Sequence, residues 1–220
     1  MPTSAAGVEL VRQAERLGVD SVWVPEFWAA DALTPLAYLA GQTSTIRLAT
    51  AIVQLGARTP AMLAMSAMCL QALSGGRFVV GIGSSGPQVM EGWHGVAFDR
   101  PVQRTRETIE IVRMIASGER LAYDGSIHQL PLPGGAGKAI RSRADTAPVP
   151  VYIAALGPAG LECAGFLPEA AHAGFDIGGL VVLLDHREMQ SLGLWNGLES
   201  RRDAPSQPAK STRLARRTQD

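Results

Sequence analysis

Cysteine is scarce in this chain of 220 residues: Cys69 and Cys163 stand far apart and outside any C-x-x-C spacing. That argues against a disulfide framework or a thiolate zinc site, no metal is expected, and the expected compartment is a reducing cytoplasm. Long apolar runs are missing as well. Arg, Glu, Gln or Asp interrupts each one before the ~18–20 residues that a membrane span needs. Neither a basic patch nor an apolar h-region follows Met1, so no secretory signal is visible. Net charge is nil, with 20 Lys and Arg balancing 20 Asp and Glu, but the balance is uneven along the chain. Residues 201–220 carry six basic side chains against two acidic ones. This stretch has no aromatics and no helical or strand period, so a solvated, disordered tail is expected over 199–220 and no nucleic-acid partner.

What is present is apolar content of 46%, enough to bury a sizeable core. Val8, Val11, Ala14 and Leu17 recur at helical spacing, with Glu9, Arg12 and Arg16 opposite them and Gly18 as a stop. Ser21–Pro25 reads as a buried strand. Thr34-Pro35 and Thr59-Pro60 read as an N-cap followed by proline, opening helices at about 35–43 and 60–73. Between them Ile46–Val53 reads as a strand, and Phe78–Ile82 follows Gly75-Gly76 as another. A helix is expected from Pro101 to about Ala116, its inner face carrying Ile109, Val112 and Ile115. Val149–Ala154 is the next strand and Val181–Leu184 could be the last. Met62, Met65 and Met68, at i, i+3 and i+6, read as core filling, with Cys69 beside them as a small apolar residue.

Continuously apolar strands joined by helices indicate an α/β fold with a parallel sheet covered on both faces, either doubly wound or a (β/α)8 barrel. Five candidate strands are too few to close eight. Residues 117–148 hold five glycines and three prolines and break the rhythm, reading as a lid-like excursion over the end of the sheet. Gly81-Ile82-Gly83-Ser84-Ser85-Gly86 fits G-x-G-x-x-G, the NAD(P) fingerprint of a Rossmann dehydrogenase. That fingerprint needs its third glycine inside a helix, yet Pro87 follows at once, and it belongs in a first βαβ unit.

The stretches Leu73–Phe78, Gly81–Val89, Glu91–Gly95 and Phe98–Pro101, with Ala14–Val24, Ile46–Ile52, Gly137–Ala139 and Pro150–Pro158, resemble the luciferase-like monooxygenase superfamily. Within it the likeness is to the oxidoreductases that use the deazaflavin coenzyme F420. The resemblance runs over about 7–165 and then lapses. It implies a partial TIM-like barrel over 1–165, a degenerate βα segment over 166–198, and a chain truncated at both ends. The activity it implies is hydride transfer between coenzyme F420 and a small organic substrate. FMN as the cofactor and an inactive remnant stand as alternatives.

The resemblance also distributes roles. A non-proline cis peptide would fall at Ala51-Ile52 as a bulge against the coenzyme ring, with Gln54 able to bond the ring edge. Gly83, Ser84 and Ser85 would touch the ring or ribityl chain. Ala154, Ala155, Leu156, Gly157 and Pro158 would form the phosphate turn, where small residues and a helix N-terminus favour an anion. Glu26, ending its strand, could orient substrate or relay a proton, and His94 could face the substrate beside Trp93. More distant relatives carry Asp-His where this chain has Glu26-Phe27, so the imidazole role does not transfer to Phe27. The partners implied are a small molecule and, as in the family, a second copy of the chain.

Overall fold

The structure, a computed structural model, describes residues 4–145, 147–155, 160 and 163, together with the backbone of 173–177 and 180–184. The tail over 199–220, the turn residues Leu156, Gly157 and Pro158, and most of 166–198 lie outside the described residues. Helix α1 (Ala5–Arg16) starts on Ser4, whose hydroxyl accepts from the Gly7 N–H at 3.1 Å. Strand β1 (Ser21–Val24) leads to helix α2 (Leu33–Ala40). The cap of α2 differs from the sequence expectation. Thr34 lies in the first turn, and the Asp31 carboxylate accepts its N–H at 2.8 Å, being placed one residue ahead of the non-capping Ala32. At Thr59-Pro60 the expectation is met: Thr59 accepts from the Met62 N–H and Pro60 opens helix α3 (Pro60–Ser74).

The expected strand over 46–53 divides into β2 (Arg47–Thr50) and β3 (Val53–Gln54). Strand β4 (Phe78–Gly83), the short helix α4 (Pro87–Met90), helix α5 (Pro101–Ala116) and β7 (Val151–Ala154) complete the main layer, after a hairpin of β5 (Tyr123–Asp124) and β6 (Gln129–Leu130). β1 pairs with β2, β2 and β3 pair successively along one edge of β4, and β7 pairs with its other edge, all in parallel. Leu180–Leu184 (β9) does not extend this sheet but pairs antiparallel with Ala173–Ile177 (β8).

Alternation assigns the two sheet faces. Val24, Leu48, Phe78, Val80, Ile82, Val151 and Ile153 face the helices and pack with Leu36, Leu39, Leu63, Ile109 and Val112, all under 5% exposed. The opposite face carries Trp23, Ala49, Val79, Gly81, Gly83, Tyr152 and Ala154 in register. Trp23 and Tyr152, from the two outer strands, stack at 5.6 Å between ring centroids. Rings separated by two intervening strands meet only because the sheet curves strongly and carries small residues between them. This is the concave wall of a barrel, built from the βα units that the described residues contain.

Arg77 ties the helices to the wall. Its guanidinium donates to the carbonyls of Ala40, Thr43, Ile46 and Ser74 and to the Thr43 hydroxyl, using the unsatisfied carbonyls where α2 and α3 end. The methionines depart from expectation: Met68 is buried, but Met62 and Met65 are 51% and 58% exposed, and Cys69 is exposed. The helical stripe that enters the core is Leu63, Ala67 and Leu70 with Met68 beside it, so Met62 and Met65 face away from the sheet.

Residues 123–128 are fastened to α5. Glu107, fully buried in α5, accepts the N–H groups of Ser126, Ile127 and His128 at 2.8–3.0 Å, the Ser126 hydroxyl and the Gln103 amide. Burial alone would raise its carboxyl pKa, but these donors outweigh it and bring it down to about 2. Among the described residues no helix is long and apolar enough to cross a membrane.

Candidate active site

The carboxyl ends of parallel strands are where such sheets assemble their sites, and the candidate residues gather there. The register supplies the first reason. Three residues (Thr50, Ala51, Ile52) separate Ala49 from Val53, whereas only Val80 and Gly81 separate their partners Val79 and Ile82, so the β2–β3 edge carries one extra residue as a bulge. The Ala51-Ile52 peptide in it is cis, as the resemblance implies. The Thr50 hydroxyl takes the place of the lost ladder bonds, accepting from the Gly81 N–H at 2.8 Å and donating to the Gly81 carbonyl at 2.7 Å.

The bulge explains the glycines of β4. A Cβ at Gly81 would overlap the Thr50 carbonyl oxygen, and one at Gly83 would lie 2.9 Å from the Ile52 side chain. Gly81 and Gly83 are therefore bare because a neighbouring strand presses on them. Gly86 precedes a helix of four residues and is not inside one. Nothing in this geometry is a dinucleotide turn, and the Rossmann reading falls with it.

Gly83 pairs with Gln54 on one side and with Ala154 on the other. Ala51, Ile52, Gln54, Gly83 and Ala154 thus form one continuous patch across three strand ends. Ser84 follows half-exposed, and Ser85 is exposed with φ 57, turning the chain out toward α4. Ala155 is buried.

Beside this patch lies a polar cluster. The Glu26 carboxylate, its side chain 6% exposed, accepts from Arg58 Nη1 at 2.8 Å, from the Gln54 N–H at 3.2 Å and from the Ala32 N–H at 3.3 Å. Its oxygens thus face the chain's own donors. Arg58 also approaches Asp31 at 3.8 Å. The Gln54 side chain donates through Nε2 to the Glu26 carbonyl at 3.1 Å, and its Oε1 lies 2.6 Å from His94 Nε2. A backbone carbonyl only accepts, so the amide must present NH2 to Glu26 and oxygen to the imidazole. His94 therefore donates from Nε2, and in the neutral ring the lone pair is on Nδ1.

Gly56 makes this meeting of β3 with residue 94 sterically feasible. A Cβ there would overlap the Met90 side chain, which is 1% exposed and fixes the loop after α4 over the end of β3. His94 is half-buried and Trp93 is 63% exposed. Sequence reasoning brought Glu26, Gln54 and His94 forward separately but missed Arg58. Its place four residues after Gln54 carries no motif. The only available signal was that a carboxylate ending a buried strand needs a cation or several N–H donors.

A family model for luciferase-like monooxygenases matches residues 2–174. The chain belongs to the luciferase-like monooxygenase family. It is 44% identical over 175 residues to a Mycobacterium tuberculosis protein whose name assigns it provisionally to the coenzyme F420-dependent oxidoreductases, covering 73% of this chain and 50% of that protein. It is 33% identical over 153 residues to the 5,10-methylenetetrahydromethanopterin reductase of Methanolobus tindarius, covering 69% and 44%. The chain spans about half the length of the curated relatives it matches. In fold it is similar to the coenzyme F420-dependent tetrahydromethanopterin reductase of Methanopyrus kandleri, with a TM-score of 0.65 at 23% identity over 76% of this chain and 50% of that one. It is also similar to an F420-dependent secondary alcohol dehydrogenase, with a TM-score of 0.59 at 22% identity over 73% and 51%. In this luciferase-like chain the bulge, the two bare glycines and the Glu26–Gln54–His94 cluster share one barrel end.

Proposed function

We propose that this chain carries the coenzyme-facing wall of an F420-dependent oxidoreductase acting on a small organic substrate. The observation that carries the reading is the patch of Ala51, Ile52, Gly83 and Ala154 with the tautomer-fixed His94 beside it. A flat ring fits a wall of small side chains with one aliphatic edge, and these residues are that wall. When bound, the deazaflavin supplies hydride chemistry. The chain's own residues then position and exclude water. Ile52 and Ala51 would cover one ring face, Gln54 is anchored by the Glu26 carbonyl, and His94 Nδ1 would accept a proton or hydrogen bond from a substrate hydroxyl. Glu26 and Arg58 are positioning residues in this account, because Glu26 acts on substrate only through Gln54. A homodimer and a cytoplasmic location belong to the same proposal.

The F420 names of several relatives favour deazaflavin over FMN. The test is a titration of the purified chain with each coenzyme by fluorescence, alongside urea unfolding with and without it. Saturable F420 binding that raises the midpoint of a sharp transition supports the reading. Preferential FMN binding replaces the cofactor. A broad transition unmoved by either coenzyme supports the inactive-remnant alternative and overturns the proposal.

A further inference from the structure

We propose a second binding site on the outer side of the helix layer, a groove for the anion of a long-chain fatty acid. The groove, about 870 Å³, runs between one face of α3, the end of α5 and residues 140–145, 147 and 148. Its lining is apolar and includes Met65, Met68, Ile115, Leu121 and Ile140. It lies beside α3, and no residue of the proposed coenzyme wall lines it.

Three observations point to a ligand of this chemistry. The walls are built, not loosely draped. Leu121 N–H donates to the Ile140 carbonyl at 2.8 Å, Arg120 donates to the Ala139 carbonyl at 3.0 Å, and Gln71 Nε2 donates to the Pro148 carbonyl at 2.7 Å. The wall is thus anchored at Ala139 and Ile140 at one end and at Pro148 at the other. The volume falls within the ~300–1,000 Å³ of small-molecule sites, too large and too apolar to be explained as a water-filled defect. Met65 and Ile140, on facing walls, are left 58% and 74% exposed, apolar surface that an acyl chain would cover. Methionine suits such a lining because its flexible thioether adapts to a chain of variable bend.

The charge of the rim selects the head group. Arg141 and Arg143 both line the groove. Neither has an ion-pair partner among the described residues. Asp145 is the acidic residue of the lining, which leaves the rim one positive charge in surplus. A carboxylate head on an acyl tail satisfies both features at once.

Cys69, exposed within this lining while Cys163 is buried, provides the reporter. In the full chain, dodecanoate is expected to slow Cys69 labelling by a thiol-reactive disulfide about tenfold, and cis-parinaric acid to bind with saturable fluorescence. Arg141 and Arg143 are exposed and unpaired, so the Arg141→Glu/Arg143→Glu variant keeps its fold. It should weaken parinarate binding at least tenfold while leaving coenzyme titration unchanged. Ala72→Trp, which fills the groove from an exposed position of α3, should do the same. Equal binding of parinarate to wild type and both variants, or equal binding of its methyl ester, overturns the proposal. So does protection of Cys69 that grows with protein concentration and ignores dodecanoate, which would give this face to a second copy of the chain.

Discussion

Glu107 and Glu26 are both buried carboxylates that collect N–H groups from distant segments, and they end differently. Every donor on Glu107 belongs either to its own helix, through Gln103, or to the tip of the β5–β6 hairpin. The shell is closed and does nothing beyond holding that hairpin on α5. The shell of Glu26 is open on one side. Through Gln54 it continues to an imidazole that is half-exposed at the barrel end. The same chemistry is a clamp in one place and the first link of a positioned site in the other, and what separates them is whether the last partner reaches solvent.

The contrast can be broken at its strong end first. Glu107→Ala strands three backbone N–H groups and is expected to cost about 3 kcal/mol of unfolding free energy, read by urea denaturation, without moving the coenzyme dissociation constant. A change in coenzyme affinity comparable to that for Glu26 variants would erase the distinction. Glu26→Ala leaves Arg58 with only the more distant Asp31 carboxylate in a mostly buried setting and strips the Gln54 and Ala32 N–H groups of their acceptor. About 2 kcal/mol of stability should be lost, and coenzyme affinity should fall about tenfold in a fluorescence titration. The acid side sharpens the comparison further. Because the folded pKa of Glu107 lies below the ordinary 4.5, its stabilisation is complete above pH 4.5 and is lost as pH falls toward 2. Hydrogen exchange of residues 126–128 should therefore speed up over that window in wild type but show no such step in Glu107→Gln. The smallest effect is expected from Gln54→Leu, which should leave stability within about 1 kcal/mol. It should nonetheless release the tautomer of His94, visible in imidazole ¹⁵N shifts.

Much of the fold could be read from residue types alone, because its main signals are local. Thr59-Pro60 opens a helix where a hydroxyl and a proline are both useful, and the β-branched runs at 21–24, 78–82 and 151–154 have no polar face to offer water. Thr34-Pro35 misled because Asp31, three residues earlier, accepts the Thr34 N–H and starts the helix upstream, leaving Thr34 in the first turn. The methionine row misled because i, i+3, i+6 spacing says that residues share a face, but not which face the sheet covers. In the site, Glu26, Gln54 and His94 were legible singly, but their convergence was not. Their contacts span 28 to 40 residues of sequence and depend on Met90 seating against Gly56. The hairpin at 123–130 escaped because its strands are two residues each and its anchor, Glu107, sits on the preceding helix.

The way the Thr50 backbone crowds β4 bears on how such chains are sorted. A dinucleotide turn and this crowded strand arrive at the same spelling, G-x-G-x-x-G, because each requires an α-carbon with nothing attached. One clears space for a diphosphate, the other for the peptide of an adjoining strand. A pattern search sees only the vacancy, so telling the two apart takes knowledge of what fills it.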